Sequence, residues 1–331
     1  KACSRTTVRD LTLTNGASDL TGGLVSISED AAVFVNCNFT NTSSEKNGAA
    51  VYIQTANIGK GAFNKCNFSG NSTTQSGGVL CITNAGTVAN LTECTFTNNH
   101  AYSNGGAYYA ANGTSTLIDC VFGGAEGLGN TAGTYGGAFN ASTSAAGSRL
   151  IMKGGEISYN SATGAGALYS NKANTVDLYG VTIKNNSATG GNGGALFFNT
   201  DAQKVQIDSC WILDNSCTGK GGAIYGVKPT IDIRKTTISG NNGGALRFAS
   251  GDPTVRIRES VISGNTSDNH GAAIYVENIT NSAGASKIFI DGSLIYGNTT
   301  SLANPNGYAI HVYGYQSTTL INNCTIFQPG A

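Results

Sequence analysis

"GGALFF", residues Gly193–Phe198, returns as "GGAIYG" at Gly221–Gly226 and as "GGALRF" at Gly243–Phe248. Variants of the doublet run through the chain, with first positions at Gly22, Asn47, Gly77, Gly105, Gly136, Ala165, Gly193, Gly221, Gly243, His270 and Asn306. The ten intervals average about 28 residues, and the shortest is 22. A period in this range marks a solenoid, in which each repeat buries its apolar side only against its neighbours. The 331 residues therefore read as one continuous domain over 1–331 rather than two globular units.

Two further signatures complete the repeat. One is "CNFSGN" (Cys66–Asn71), with "CTFTNN" (Cys94–Asn99), "TTISGN" (Thr236–Asn241) and "SVISGN" (Ser260–Asn265) as its variants. The other alternates strictly, as in "KVQIDS", "TIDIRK" and "TVRIRE". Alternation without any sustained helical period predicts short strands, three to a coil. The predicted fold is all-β, a single-stranded parallel β-helix of about a dozen coils stacked about 4.8 Å apart. Parallel crossovers make it right-handed. Equivalent residues then stand above one another: Val51, Leu80, Tyr108, Leu168, Leu196, Ile224, Leu246 and Ile274 form an inward apolar column. Asn71, Asn99, Asn160, Asn186, Asn215, Asn241, Asn265 and Asn298 form an amide column, read as turn residues tolerant of left-handed geometry.

Composition removes several function classes. Charged residues are 11% of the chain and balance at 19 of each sign, so no basic face exists for nucleic acid. No apolar run reaches the 18 residues of a spanning helix. With 46 Gly but only 4 Pro, the chain is not collagen-like. No initiator Met or signal peptide opens it, which reads as a mature chain or a piece of a longer one.

The paired "GGA[ILV]" and "FxxN" motifs, the latter as "FSGN" at Phe68–Asn71 and "FTNN" at Phe96–Asn99, resemble the repeats of chlamydial polymorphic outer-membrane proteins and related adhesin-like β-helices. The resemblance covers essentially the whole chain and implies a surface passenger. In that family a membrane barrel follows the repeats, and no run of barrel strands occurs before "IFQPGA".

Three sets of residues stand out as candidate sites. Cys37, Cys66, Cys94 and Cys120 hold one place in consecutive coils, at a separation that suits either inter-coil disulfides or a buried thiol ladder. Among twelve N-x-[ST] sequons, Asn41, Asn112, Asn140 and Asn265 are candidate N-glycosylation positions. An outward column of Tyr52, Tyr109, Tyr169, Phe197, Tyr225 and Tyr275, with Arg247 and His311 interposed, predicts an exposed interaction stripe. Outward charges read as cross-coil pairs, Asp208 with Arg234 and Asp232 with Arg256. No metal, cofactor or catalytic set emerges: the three histidines are dispersed, and no CxxC spacing occurs.

These features predict a secreted or cell-surface protein that is structural or adhesive and non-catalytic, a subunit of a filament or surface array. Its expected partners are itself, stacked end to end or side by side, other surface proteins, and glycans. The alternative is a carbohydrate-active enzyme of the pectin-lyase-like class, which needs clustered carboxylates in one cleft.

Overall fold

A computed structural model describes residues 6–19, 22–28, 31–54, 60–142, 148–172, 175–199, 204–249, 251–277, 286–302, 309–313 and 317–327. Among the described residues all regular structure is β, and strands pair in parallel with the equivalent strands of neighbouring coils. Most coils contribute to four sheets rather than three. The first sheet has twelve strands, from Thr6–Arg9 to Thr318–Asn322, and the second has twelve, from Thr12–Thr14 to Thr325–Phe327. The third has eight two- to five-residue strands from Ala17–Ser18 to Ser216–Cys217, and resumes as the pair Thr266–Ser267 and Thr299–Thr300. The fourth has eleven, from Val25–Ile27 to Ile310–Tyr313. A two-residue strand is too short for alternation to register in sequence, which is why the third sheet was not foreseen.

Left-handed residues turn the coil at three corners. Asn36, Lys65, Glu93, Asp119, Ser209, Lys235 and Glu259 turn the first sheet into the second, with φ between 50° and 56°. Gly70, Asn98, Tyr159, Asn185, Asp214, Gly240 and Gly264 turn the second into the third. The left-handed residue here precedes the ladder asparagine, correcting the expectation that the asparagine itself supplies the turn. At the third corner the first residue of the glycine doublet is left-handed, as at Gly77 (φ 73°) and Gly105 (φ 65°). The second glycine answers to crowding instead: a Cβ on Gly106 would stand 2.1 Å from the Gly137 carbonyl oxygen of the next coil.

The interior is built from superposed columns. Leu168, Leu196, Ile224, Leu246 and Ile274 are each at most 1% exposed, so the inward register of the fourth sheet is as predicted. In the second sheet Phe39, Phe68, Phe96 and Phe122 stack face to face at 4.8, 4.7 and 4.4 Å before isoleucine takes over the column. Stacked rings at the coil spacing bury large apolar area in a fixed geometry.

Beside them runs the amide ladder. From Asn71 to Asn265 each ladder Nδ2 donates to the Oδ1 of the asparagine in the next coil and to a backbone carbonyl, as Asn186 does to Asn215 Oδ1 (2.9 Å) and the Ile157 carbonyl (2.9 Å). Each Oδ1 also accepts the backbone N–H of the preceding ladder residue. Asn130 belongs to this ladder, donating to Asn160 Oδ1 at 2.8 Å. The segment Gly123–Gly129 displaces it from the usual spacing, so its membership was hidden in sequence.

Segment length varies most between the fourth and first sheets. Only Lys228 and Pro229 separate Ile224–Val227 from Thr230–Arg234, whereas residues 278–286 separate Ile274–Glu277 from Lys287–Asp291.

Candidate functional site

The four cysteines of the predicted column are free thiols, as are all eight described cysteines; no disulfide joins them. Each sits just past the first corner and donates to the carbonyl two residues back: Cys37 to Val35 (3.3 Å), Cys66 to Asn64 (3.5 Å), Cys94 to Thr92 (3.4 Å), Cys120 to Ile118 (3.5 Å). Later coils put hydroxyls in the same place: Thr236 Oγ1 donates to the Arg234 carbonyl (2.8 Å) and Ser260 Oγ to that of Arg258 (2.7 Å). Interchange of Cys, Thr and Ser fits a small donor that closes a buried corner. Hydrogen bonds to the Cys120 and Cys66 sulfurs, with burial added, keep Cys94 a protonated thiol. Burial pushes Cys210 up to about 11. Cys94 and Cys210 are therefore poor nucleophiles at neutral pH, whereas the hydrogen bond shared with Cys94 lowers the thiols of Cys66 and Cys120.

The sequons divide by burial. Asn265 (0% exposed) is a ladder amide and Asn140 (1%) is enclosed, so neither can carry a glycan in the folded chain. Asn112 is half-buried with its Nδ2 on the Thr83 carbonyl at 2.8 Å, and Asn41 is exposed. The excess of N-x-[ST] has a structural origin at Asn71, Asn265 and Asn298. There the ladder Asn is followed by an outward hydroxyl and then an inward one, as in Asn71-Ser72-Thr73.

The aromatic column faces outward, yet it is not an open stripe. Tyr52 (8% exposed) and Tyr169 (4%) are buried, while Tyr109, Phe197, Tyr225 and Tyr275 are half-buried. Their faces are taken up among themselves. Tyr135 stacks on Tyr169 at 4.3 Å; Tyr169 meets Phe197 edge-on at 5.2 Å, and Phe197 meets Tyr225 at 4.9 Å. Asn199 donates to the Tyr169 hydroxyl at 2.9 Å. Burial raises the phenols of Tyr109, Tyr169 and Tyr225. Alternation gave the direction of this column but could not show that neighbouring rings enclose one another.

Outward charges do pair across coils. Arg234 engages Asp208 at 2.5 Å, and its guanidinium holds that carboxyl below the ordinary range. Asp232 takes Arg258 diagonally at 2.5 Å rather than Arg256, which faces it in register. Arg256 instead lies over the Phe289 ring, 5.3 Å from its centroid.

A groove of about 600 Å³ lies on the third sheet over the first coils. Its floor is hydroxyl-rich, with Ser18, Ser43, Ser44, Ser72, Thr73 and Thr74. Asp19, Glu45, His100 and Tyr102 also line it. Register places Asp19 and Glu45 one coil apart, directly after the paired Ser18 and Ser44, at about the 4.8 Å strand spacing. Tyr102 is 74% exposed, and His100 Nδ1 lies 2.8 Å from Thr131 Oγ1. An exposed ring beside stacked hydroxyls and carboxylates has the chemistry to hydrogen-bond and stack on a sugar. Sequence reasoning missed this set because its members are spread over residues 17–102 and do not repeat; only the coil register assembles them.

Three stretches, residues 93–108, 212–227 and 259–277, match the Chlamydia polymorphic membrane protein repeat. Each runs from the second sheet or the corner before it, past the ladder asparagine and the glycine corner, and into the fourth sheet. The chain thus carries repeats of this type on a parallel β-solenoid. No curated protein and no solved structure matches the chain.

Proposed function

We propose that this solenoid is a surface protein, structural or adhesive and non-catalytic, that takes glycans in the groove on its third sheet. The observation that carries the reading is the groove itself: about 600 Å³, floored by stacked Ser and Thr and flanked by the exposed Tyr102. The matched repeat, named for chlamydial membrane proteins, supports a place at a cell surface or outer membrane. The free and mostly buried thiols fit a rod whose stability rests on ladders rather than on cross-links.

The second reading, a carbohydrate-active enzyme, is favoured by the Asp19–Glu45 juxtaposition, since glycoside cleavage works through a carboxyl pair about 5–9 Å apart. One experiment separates the two. The purified chain is screened against neutral and uronic-acid oligosaccharides, with binding and the release of reducing or unsaturated ends followed together. Binding that weakens about tenfold or more in Tyr102→Ala, with no released ends, supports the adhesive reading. Turnover lost in Glu45→Gln would replace it with the enzyme. Absence of binding to any glycan would overturn both.

A further inference from the structure

The groove on the third sheet runs along the rod axis. One outward column forms its long side: Asp19, Glu45, Thr74 and Tyr102 follow, respectively, the paired Ser18, Ser44, Thr73 and Ala101. The pairing continues past these strands, since the Glu45 N–H donates to the Ser18 carbonyl (3.0 Å), that of Thr74 to Ser44 (3.1 Å) and that of Tyr102 to Thr73 (2.9 Å). Three coil steps of about 4.8 Å make the column about 14 Å long. A groove of about 600 Å³ with this shape suits a short linear saccharide laid along the rod.

The two ends of this column differ in chemistry. Asp19 and Glu45 stand at one end, one coil apart, both exposed and in no ion pair among the described residues. Among the described residues no Lys or Arg lines the groove; Lys46, next to Glu45 in the chain, is exposed and outside the lining. At the other end stand the exposed Tyr102 ring and His100, whose Nδ1 is engaged with Thr131 Oγ1 of the next coil at 2.8 Å. A sugar acid laid in this groove would meet two like charges with no cation to answer it. An ammonium would instead find two carboxylates on a backbone that the ladder already holds in place, so little ordering opposes its binding. Tyr102 offers its face to the apolar side of a ring further along the same saccharide.

We propose that the glycan taken by this groove is an amino sugar with a free amine, its ammonium between Asp19 and Glu45 and a second ring stacked on Tyr102. The inference rests on the glycan reading above, and one comparison tells their failures apart. The intact chain is titrated by calorimetry with the β-linked trimers of glucosamine, N-acetylglucosamine and glucose, and with trilysine, in EDTA so that no divalent cation bridges the carboxylates. The glucosamine trimer should bind about fivefold or more tighter than the other two, which lack the charge. That margin should shrink as salt rises from about 0.05 to 0.5 M, because the paired charges are exposed. Glu45→Gln should cut the margin, whereas Tyr102→Ala should weaken all three trimers alike. Equal binding of the three trimers would overturn the amino-sugar inference and leave the glycan reading standing. Trilysine binding as tightly as the glucosamine trimer would overturn it as well, leaving only a bare cation site. A margin unchanged in both Glu45→Gln and Asp19→Asn would refute the placement of the ammonium. If no trimer binds, the inference falls, and the wider oligosaccharide screen decides the glycan reading by itself.

Discussion

Replacing Asn241 with alanine should open the rod locally, and the size of the effect follows from the ladder. Asn241 Nδ2 donates to the carbonyls of Ile212 (3.0 Å) and Ser239 (3.0 Å) and to Asn265 Oδ1 (2.9 Å). Its Oδ1 accepts the Asn215 backbone N–H (2.9 Å) and Asn215 Nδ2 (3.0 Å). Alanine removes all five bonds. Asn215 Nδ2 keeps the Ile183 and Leu213 carbonyls, and Asn265 Oδ1 keeps the Asn241 N–H. The Asn215 backbone N–H keeps nothing, and it is fully buried. An orphaned buried donor costs about 1–3 kcal/mol, and the other broken contacts put the loss at the upper end of that range, about 3 kcal/mol. That corresponds to about a hundredfold rise in local opening. Native-state hydrogen exchange read by mass spectrometry should place the faster exchange in the coils flanking residue 241. Coils around residues 60–97 should be unchanged, since each coil contacts only its neighbours. A rise below about fivefold, or one spread evenly over the rod, would refute the claim that the ladder amide is an essential buried partner.

Leu196→Asp should be more damaging still, because a charge would be buried in a position that is 0% exposed; denaturation showing it milder than Asn241→Ala would reverse the ranking. Gly106→Ala sets a Cβ 2.1 Å from the Gly137 carbonyl oxygen and should lower the melting temperature far more than Gly180→Ala, where nothing lies within 4 Å and only backbone strain of about 1 kcal/mol is added. Cys210→Ser keeps a donor for the Asp208 carbonyl and should cost under about 1 kcal/mol, whereas Cys210→Val should cost more by urea denaturation. Burial raises the folded pKa of Cys210 to about 11, so its contribution is full below the unfolded value of about 8.5 and is lost as pH rises through 11; alkaline melting of native and Cys210→Ser chains should diverge there. Asp208 has the opposite sign: Arg234 depresses its folded pKa, so stability present above about 3.9 is lost as pH falls through the lower value, and Arg234→Met should shift acid unfolding upward.

Much of the architecture could be read from single residues. The glycine doublets announce a corner because the first position is left-handed in coil after coil, while the second, at Gly78, Gly106, Gly137, Gly166 and Gly194, has no room for a Cβ. Inward Leu196 and Ile224 follow from alternation alone. What escaped was whatever depended on side-chain neighbours rather than on period. Arg256 faces Asp232 in register, yet Asp232 pairs with the diagonal Arg258, a choice made by Phe289 offering its ring to Arg256. Tyr169 faces outward as alternation requires but is closed off by Tyr135, which reaches it from the end of a third-sheet strand in the preceding coil. Thr236 and Ser260 already carried the clue to the cysteine column, since a position that accepts Cys, Thr and Ser asks for a short donor. Asp19, Glu45 and Tyr102 left no trace in the period, because the groove they line is written once.

Variation in segment length between the fourth and first sheets gives the rod a margin that is free to change. The entropy of closing a loop grows slowly with its length, by about 0.6 kcal/mol for each doubling. Lengthening Lys228–Pro229 toward the span of 278–286 would therefore tax the coil only lightly, and neither the amide ladder nor the glycine corner would register the change. Lineages could rewrite this margin repeatedly while the spine beneath it stayed in step. The short coil at Asn241–Gly243 shows the opposite case: a deletion at a ladder corner breaks a sheet. Inheritance should thus tolerate novelty on this side of the molecule and punish deletion at the ladder corner.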